Sequence, residues 1–294
     1  IEAMGFAVIA EIPLVIVNVQ RAGPSTGIPT KSEQSDLFTA MYGRHGEAPM
    51  PILAAQSCAD CYDLAIEASR IATKYMTPVI LLTDGYLAQG TEPWRLPDID
   101  KLPDLTKYFV TDPEGFQPYK RDEKTLARMF AIPGTPNLEH RIGGLEKQNN
   151  GSAVSSDGAN HQIMVEIRQK KVDNIANDIP LLEVEGEQKG DILVLGWGST
   201  YGAIKAATDK LRNEGKKVST AHLRYMNPFP KNLGEILNNF ERVLIPETNN
   251  GQLSVIIQGK FLKKVHKLNK LMGIPFKAYE IENKVLEMLN QGGK

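Results

Sequence analysis

The chain has 294 residues, 41% of them hydrophobic and 23% charged, and a formal net charge of -1 at pH 7. Since domains commonly hold roughly 100 to 200 residues, this length predicts two domains. The balanced charge, and apolar runs far shorter than the roughly 20 residues that span a bilayer, predict a cytoplasmic protein that binds neither nucleic acid nor a membrane.

The first half of the chain alternates between helical and strand patterns. Residues 2–10 predict a helix, and the β-branched run at 13–19 is typical of a parallel strand that is buried on both faces. The segment "PILAA" at 51–55 starts another strand and helix, and residues 78–87 predict a second buried strand that ends in a polar turn. This alternation indicates an α/β fold.

Glycine, proline and hydroxyl residues are concentrated directly behind the first strand, in "QRAGPSTGIPT" at 20–30. Open α/β sheets bind ligands at the carboxyl ends of their strands, where this loop begins. The guanidinium of Arg21 matches a carboxylate in two parallel hydrogen bonds, and Gly23 and Gly27 allow close approach of the backbone. The hydroxyls that would complete a pocket for a small anion belong to Ser25, Thr26 and Thr30. From these residues alone, a surface turn is an equally good interpretation.

Prolines interrupt regular structure between 88 and 120, and turn residues dominate as far as 158. We predict an ordered connecting arm, because structureless loops beyond about 15 residues are uncommon inside compact domains. A helix over 159–175, capped by Ser156 or Asp157, follows it.

A second α/β unit begins with a strand at 191–199 and a helix that ends at Gly215. Strand, helix, strand and helix follow, and the last helix is predicted over 255–273. Its lysines are expected to form a solvated face, with a docking patch for an acidic partner as the less favoured interpretation. The lysines are Lys260, Lys263, Lys264, Lys267 and Lys270, and the residues expected to face inward are Phe261, Val265, Leu268 and Leu271.

Two other motifs receive structural interpretations. Gly196, Gly198 and Gly202 depart from the GxGxxG spacing of dinucleotide sites, and the next strand lacks the acidic residue, so we predict close packing of strand and helix. Cys58 and Cys61 form a lone CxxC at the start of a helical pattern and are assigned to that helix. An iron–sulfur cluster within this chain is excluded, since such clusters usually take four cysteines.

Seven segments in order resemble one protein family. They are "AEIPLVIVNVQRAGPSTGIPTKSEQSDL", "YGRHGE", "PVILLTDGYL", "AIPGTPNLEHRIGGLE", "NHQIMVEIR", "HLRYMNPFP" and "NNGQL". Together they resemble the alpha subunit of 2-oxoacid:ferredoxin oxidoreductases, most closely the 2-oxoglutarate type. The resemblance covers nearly the whole chain, and "QRAGPSTGIPT" joined to "HLRYMNPFP" is highly specific.

The resemblance implies an α/β fold with two parallel-sheet domains joined by an irregular Pro/Gly-rich arm. These are a thiamine-diphosphate pyrimidine-type domain at 1–120, the arm with one helix at 121–180, and a transketolase C-terminal-like domain at 181–294. The implied enzyme decarboxylates a 2-oxoacid with thiamine diphosphate, passes electrons to ferredoxin and forms an acyl-CoA from coenzyme A. A beta subunit is expected to hold the diphosphate, Mg²⁺ and a [4Fe-4S] cluster in a heterodimer, so the isolated chain is expected to be inactive.

Site residues are carried over by position. Arg21 matches the arginine that grips the substrate carboxylate, and Thr30 matches a hydroxyl of the same pocket, with Ser25 and Thr26 as weaker matches. Arg44 and His45 in "YGRHGE" are assigned to the active site or a subunit interface. Taken by itself, His45 favours a polar group at a helix end over a proton carrier. No catalytic residue and no metal ligand is assigned in this chain.

The chain departs from the family pattern at its start, since Ile1 is not an initiator residue. The YPITP-type loop, the glutamate that activates the aminopyrimidine and the gamma-like domain of the 2-oxoglutarate type are not found, so an N-terminally incomplete chain is expected. Three alternatives stay open. They are another 2-oxoacid substrate (pyruvate, branched-chain or indolepyruvate), a lipoamide-linked 2-oxoacid dehydrogenase beta subunit, and a non-catalytic scaffold that pairs with a beta-like chain.

Overall fold

The computed structural model describes residues 1–149 and 151–291. In the first half, the helices are α1 (Glu2–Ile9), α2 (Leu37–Tyr42), α3 (Cys58–Tyr75) and α4 (Gly85–Gln89), and the strands are β1 (Leu14–Gln20), β2 (Ile52–Ala54) and β3 (Pro78–Asp84). The later helices are α5 (Gly158–Asn174), α6 (Tyr201–Asn213), α7 (Leu233–Asn238), α8 (Gln252–Phe261) and α9 (Ala278–Gln291). The later strands are β4 (Gly190–Trp197), β5 (Val218–Leu223), β6 (Tyr225–Asn227), β7 (Phe240–Glu247) and β8 (His266–Asn269). Within these residues, no helix is both long and apolar enough to cross a membrane.

The first sheet has the strand order β1-β3-β2-β6, with β1 and β2 parallel to β3 and β6 antiparallel to β2. The predicted strand β1 is confirmed, but its predicted burial on both faces is wrong. Val17 is 56% and Val19 is 49% exposed. Because β1 lies at the edge of the sheet, helices cover only part of its surface, whereas the central strand β3 is buried along its whole length.

The buried strand predicted within 78–87 is confirmed as β3, which ends at Asp84. The carboxylate of Asp84 accepts hydrogen bonds from the amides of Tyr86 (2.9 Å) and Leu87 (3.1 Å). This side-chain cap ends β3 and starts α4, because it satisfies the first free amides of the helix. The polar turn therefore comes immediately after Asp84.

The second sheet is entirely parallel, in the order β5-β4-β7-β8. The predicted close packing at its central strand is confirmed, since a Cβ atom on Gly196 would lie 2.4 Å from Ile204 Cδ1 and 2.6 Å from His222 Nδ1. The predicted helix end at Gly215 is also confirmed, with φ of 76° directly behind α6. The two parallel-sheet units that the sequence predicts are thus both present.

The single helix predicted over 255–273 is wrong. Helix α8 ends at Phe261 because Leu262 adopts a left-handed conformation, with φ of 54°. The chain then forms β8, which pairs parallel to β7 at the edge of the sheet. Lys270 is buried against Glu280 of α9, a helix that the sequence reasoning missed, and Leu271 is 53% exposed rather than inward. The lysines therefore do not share one helix face.

One apolar cluster joins the two sheets. Leu37, Ile52 and Leu82 from the first sheet and its helices pack in the same cluster as Leu195 and Trp197 of β4. Strand β6 strengthens this connection, because it follows β5 of the second sheet and pairs with β2 of the first. The division of the chain at residues 120 and 180 stays a prediction.

A buried ion cluster holds the irregular arm in place. The carboxylate of Glu11 accepts a hydrogen bond from Arg121 of the arm (2.8 Å) and contacts Lys171 of α5, and each of these three side chains is at most 7% exposed. Burial alone would raise the pKa of Glu11, but Lys171 and Arg121 outweigh it and lower the pKa to about 2. Burial lowers the pKa of Lys171 to about 8. The arm is therefore ordered although it has little regular structure.

Candidate functional site

The loop behind β1 closes on itself. The amide of Ala22 donates to the carbonyl of Lys31 (3.0 Å), and the amide of Gly27 donates to Pro24 (2.9 Å) at the far end of the loop. Gly27 has φ of 52°, and a Cβ atom there would lie 1.7 Å from the carbonyl oxygen of Ala22. This glycine therefore lets the loop pack against its own backbone, whereas its sequence context predicted close approach of the backbone to a ligand.

The predicted site residues of this loop are all exposed. Arg21 follows β1 directly, and its guanidinium makes no hydrogen bond or ion pair with the part of the chain that the structure describes. The closing bond brings Arg21 and Thr30 to the same end of the loop, since each is next to one of the bonded residues. Ser25 and Thr26 lie at the opposite end, within the turn closed by Gly27. The structure thus groups Arg21 with Thr30 and separates both from the other two hydroxyls.

A cavity of about 240 Å³ adjoins this end of the loop. Thr30 and Lys31 form one wall, and the start of α4 and the segment before α9 form the others. The amide of Ser32 donates to the carbonyl of Gly273 (3.2 Å), which attaches the loop to that segment. The wall residues that sequence reasoning missed include Tyr86, Gln89, Gly273 and Ile274.

Buried polar side chains connect the loop to the carboxyl ends of the second sheet. Gln34 is fully buried, donates to the carbonyl of Trp197 (2.8 Å), and accepts from the amide (3.2 Å) and hydroxyl (3.0 Å) of Thr248. Ser199, directly behind β4, donates to the carboxylate of Asp84 at the end of β3. The carboxyl ends of β1, β3, β4 and β7 therefore converge around the loop, which is where α/β folds bind their ligands.

The start of α8 supplies the rest of this polar connection. Asn249 donates to the carbonyl of Gln34 (2.8 Å), and Gln252 donates to that of Ser35 (2.7 Å). Glu247 is fully buried and accepts from the amides of residues 253 and 254, so its charge lies at the N-terminus of α8. Sequence reasoning missed these roles, although the polar runs "SEQSD" and "ETNNGQ" behind two apolar strands were the available signal.

Comparison with known proteins decides the family. Residues 1–157 match the family described as pyruvate flavodoxin/ferredoxin oxidoreductase, thiamine diphosphate-binding, and residues 190–282 match the pyruvate:ferredoxin oxidoreductase core domain II. The chain belongs to this oxidoreductase family. The resemblance to 2-oxoacid:ferredoxin oxidoreductase alpha subunits is thereby confirmed.

Individual relatives match most of the chain. It is 53% identical over 95% of its length to the 2-oxoglutarate oxidoreductase subunit KorA of Mycobacterium tuberculosis, and 32% identical over 86% to the 2-oxoglutarate synthase subunit KorA of Archaeoglobus fulgidus. A solved 2-oxoglutarate:ferredoxin oxidoreductase from Magnetococcus marinus, with 2-oxoglutarate, coenzyme A and succinyl-CoA bound, superimposes with a TM-score of 0.92 over 98% of the chain at 34% identity. The chain spans 43% of the first relative, 65% of the second and 50% of the solved chain.

In this member of the family, Arg44 has a structural function. Its guanidinium donates to the carbonyls of Ala40 (2.6 Å) and Met41 (2.9 Å) at the end of α2, and to that of Ala48 (2.8 Å) in the segment behind it, so it satisfies free helix carbonyls and ties them to that segment. His45 is exposed and makes no side-chain hydrogen bond with the described residues. The assignment of Arg44 and His45 to an active site or interface stays a prediction.

The two cysteines lie in the first turn of α3 as free thiols. Cys58 donates to the carbonyl of Leu87 (3.3 Å), and Cys61 lies 3.6 Å from the hydroxyl of Thr83. Burial raises the pKa of both thiols, so they are protonated at neutral pH. Over residues 1–149 and 151–291, no three His, Cys, Asp or Glu side chains group as metal ligands.

The motif "HLRYMNPFP" lies where the chain leaves the second sheet for the first. His222 donates from Nε2 to the carbonyl of Gly198 (3.0 Å), and its Nδ1 faces Gly196. Burial lowers the pKa of His222 to about 3, so the imidazole is neutral. Arg224 then pairs with Asp60 of α3 (Nε to Oδ2, 3.2 Å). The motif therefore joins the two sheets.

Proposed function

We propose that this chain is the alpha-subunit part of a 2-oxoglutarate:ferredoxin oxidoreductase that uses thiamine diphosphate. The complete complex decarboxylates 2-oxoglutarate, forms an acyl-CoA from coenzyme A and passes the electrons to ferredoxin. The observation that carries the proposal is the unpaired guanidinium of Arg21 at the carboxyl end of β1. The similarity to 2-oxoglutarate oxidoreductases, one of them solved with 2-oxoglutarate bound, supports the same substrate.

Arg21 and Thr30 suit the substrate rather than the cofactor. A guanidinium binds a carboxylate in two parallel hydrogen bonds, and a hydroxyl beside it adds a third contact. Fixing the carboxylate in this way orients the neighbouring keto carbon for reaction. When bound, thiamine diphosphate supplies the nucleophile for that carbon and the electron sink for loss of CO₂. In this proposal the beta subunit holds the diphosphate, Mg²⁺ and the [4Fe-4S] cluster, and the isolated chain is inactive.

The proposal assigns a role to each part of the fold. Residues 1–120 form the pyrimidine-type domain, 121–180 the arm, and 181–294 the transketolase C-terminal-like domain. A heterodimer in the cytoplasm is the expected form of the complex. The convergence of both sheets on the loop supports this arrangement, because a ligand at Arg21 lies beside the carboxyl ends of strands from both.

The test replaces Arg21 by methionine in the complete complex. Removing a charged, two-bond clamp costs about 3 kcal/mol of transition-state binding, so kcat/KM for 2-oxoglutarate is expected to fall about 100-fold. The readout is CoA-dependent reduction of ferredoxin, and Arg95→Met, which removes another exposed arginine from the proline-rich stretch at 88–120, is the control. An unchanged kcat/KM in R21M would remove the clamp from the proposal.

A panel of 2-oxoacids tests the substrate assignment. Since the matched family is named for pyruvate, the panel compares 2-oxoglutarate with pyruvate, branched-chain 2-oxoacids and indolepyruvate. The expected result is the highest kcat/KM for 2-oxoglutarate. A purified complex that contains neither thiamine diphosphate nor iron would instead favour the non-catalytic scaffold.

A further inference from the structure

Lys31 is a second cation at the end of the loop that holds Arg21. Its backbone is fixed, since its carbonyl accepts from Ala22 (3.0 Å) and its amide donates to Ile28 (3.3 Å). Its aliphatic stem lies against Gly273, because a Cβ atom on that glycine would be 2.6 Å from Lys31 Cβ and 3.1 Å from Cγ. The residue is nevertheless exposed, and its ammonium group has no hydrogen bond or ion pair within residues 1–149 and 151–291.

The loop closure puts the two cations within reach of one small molecule. A backbone hydrogen bond such as that from Ala22 to Lys31 holds the two Cα atoms roughly 5.5 Å apart. Arg21 is one Cα step of about 3.8 Å further along the chain, so its Cα lies no more than about 10 Å from that of Lys31. Both side chains are long and have unpaired heads. A dianion fits between them if its charges are roughly 5 Å apart. That distance is the span of a few C–C bonds of about 1.5 Å each.

The cavity beside Lys31 has the chemistry of an anion site. The residues that line it include Lys31, with its ammonium group, and three with neutral polar side chains, Thr30, Tyr86 and Gln89. None of the described residues that line it is acidic. Water competes less for a charged group in a concave site than on an open surface. The unpaired cation of Lys31 among neutral hydrogen-bonding groups is therefore suited to a carboxylate.

We propose that Lys31 binds the second carboxylate of a dicarboxylic 2-oxoacid, while Arg21 binds the carboxylate beside the keto group. The proposal rests on the proposed function and adds a specificity residue to it. Lys31 therefore favours 2-oxoglutarate over pyruvate, which has the same 2-oxoacid group but no second carboxylate. As a point charge on a flexible end, the ammonium suits the end of the substrate that does not react.

The test replaces Lys31 by methionine, which keeps the stem that packs on Gly273 and removes the charge. In the complete complex, kcat/KM for 2-oxoglutarate is expected to fall about tenfold or more, the range for losing a hydrogen bond to a charged group, mostly through a higher KM. The value for pyruvate is expected to change less than about threefold. Glutarate has the two carboxylates but no keto group. Its competitive inhibition is expected to weaken by about the same factor as kcat/KM for 2-oxoglutarate falls. Lys31→Arg should recover much of both effects.

Lys170→Met, which removes an exposed lysine of α5, is the matched control and should leave kcat/KM unchanged for both substrates. Equal losses for 2-oxoglutarate and pyruvate in K31M would overturn the proposal, since a general disturbance of the loop affects both. Loss of the partner subunit from K31M on gel filtration would also overturn it and assign Lys31 to the subunit interface. A wild-type complex that turns over neither acid would contradict the proposed function itself, which distinguishes the two failures.

Discussion

Replacing Gln34 by leucine tests whether the candidate loop depends on the second sheet. The Gln34 amide donates to the carbonyl of Trp197 and accepts from the amide and hydroxyl of Thr248, all inside the protein. Leucine fills a similar volume but makes none of these bonds. The carbonyl of Trp197 keeps its bond from the Thr200 hydroxyl (2.7 Å), whereas the amide of Thr248 loses its contact with the glutamine oxygen.

The magnitude follows from this inventory. A buried donor left without an acceptor costs roughly 1 to 3 kcal/mol, and the other lost hydrogen bonds cost about 1 kcal/mol each. The greater hydrophobicity of leucine returns about 1 kcal/mol. We expect the free energy of unfolding to fall by about 3 kcal/mol and Tm by roughly 5 °C.

Urea unfolding followed by tryptophan fluorescence measures this change, since Trp197 is itself buried beside Gln34. Gln117→Leu, at an exposed glutamine of the proline-rich stretch at 88–120, is the control and should change the free energy of unfolding by less than about 0.5 kcal/mol. In the complete complex, Q34L is also expected to raise KM for 2-oxoglutarate. Wild-type stability together with wild-type KM would refute the reasoning that Gln34 holds the loop in place.

Two further predictions use single positions. Gly27→Ala should lower kcat/KM for 2-oxoglutarate at least about tenfold, because the new Cβ atom would overlap the carbonyl of Ala22. Gly46→Ala is the control and should not lower it, since Gly46 has a similar φ of 65° but no atom within 4 Å of the added Cβ. Equal activities of the two variants would contradict the packing argument. The folded pKa of His222, about 3, lies below its ordinary 6.5, so as pH falls below 6.5 the unfolded chain takes up a proton that the folded chain does not. Between pH 7 and pH 5, the free energy of unfolding of the wild type should therefore fall by about 2 kcal/mol more than that of His222→Asn. If urea titrations show the same fall for both proteins, this histidine is not the cause.

The local elements could be predicted where the pattern is short-range. Strand β3 and helix α3 follow from an apolar run and from helical spacing behind Ser57, whose hydroxyl accepts from the amide of Asp60 (3.2 Å). The error at α8 has a physical reason. Residues 262–273 have a composition compatible with a helix, but the left-handed Leu262 and the pairing of β8 with β7 outweigh local propensity.

The candidate site was predicted in part. Chemistry pointed to Arg21 and three hydroxyl residues, the family resemblance singled out Thr30 among them, and the structure shows Arg21 and Thr30 both exposed at the closed end of one loop. Their binding role stays a prediction. Arg44 shows the limit of such reasoning, because the same guanidinium chemistry that suits a carboxylate also suits two carbonyls at the end of α2 and the carbonyl of Ala48.

Sequence alone therefore determined the α/β class, most of the local elements and the loop with its arginine, because these depend on residue types a few positions apart. Tertiary structure alone decided that β6 joins the first sheet and that Gln34 bonds to Trp197, 163 residues away along the chain. It also left Lys31 with an unpaired charge beside a cavity. A buried amide or an exposed lysine takes its role from the groups that folding brings against it, and the sequence pattern around it does not contain them.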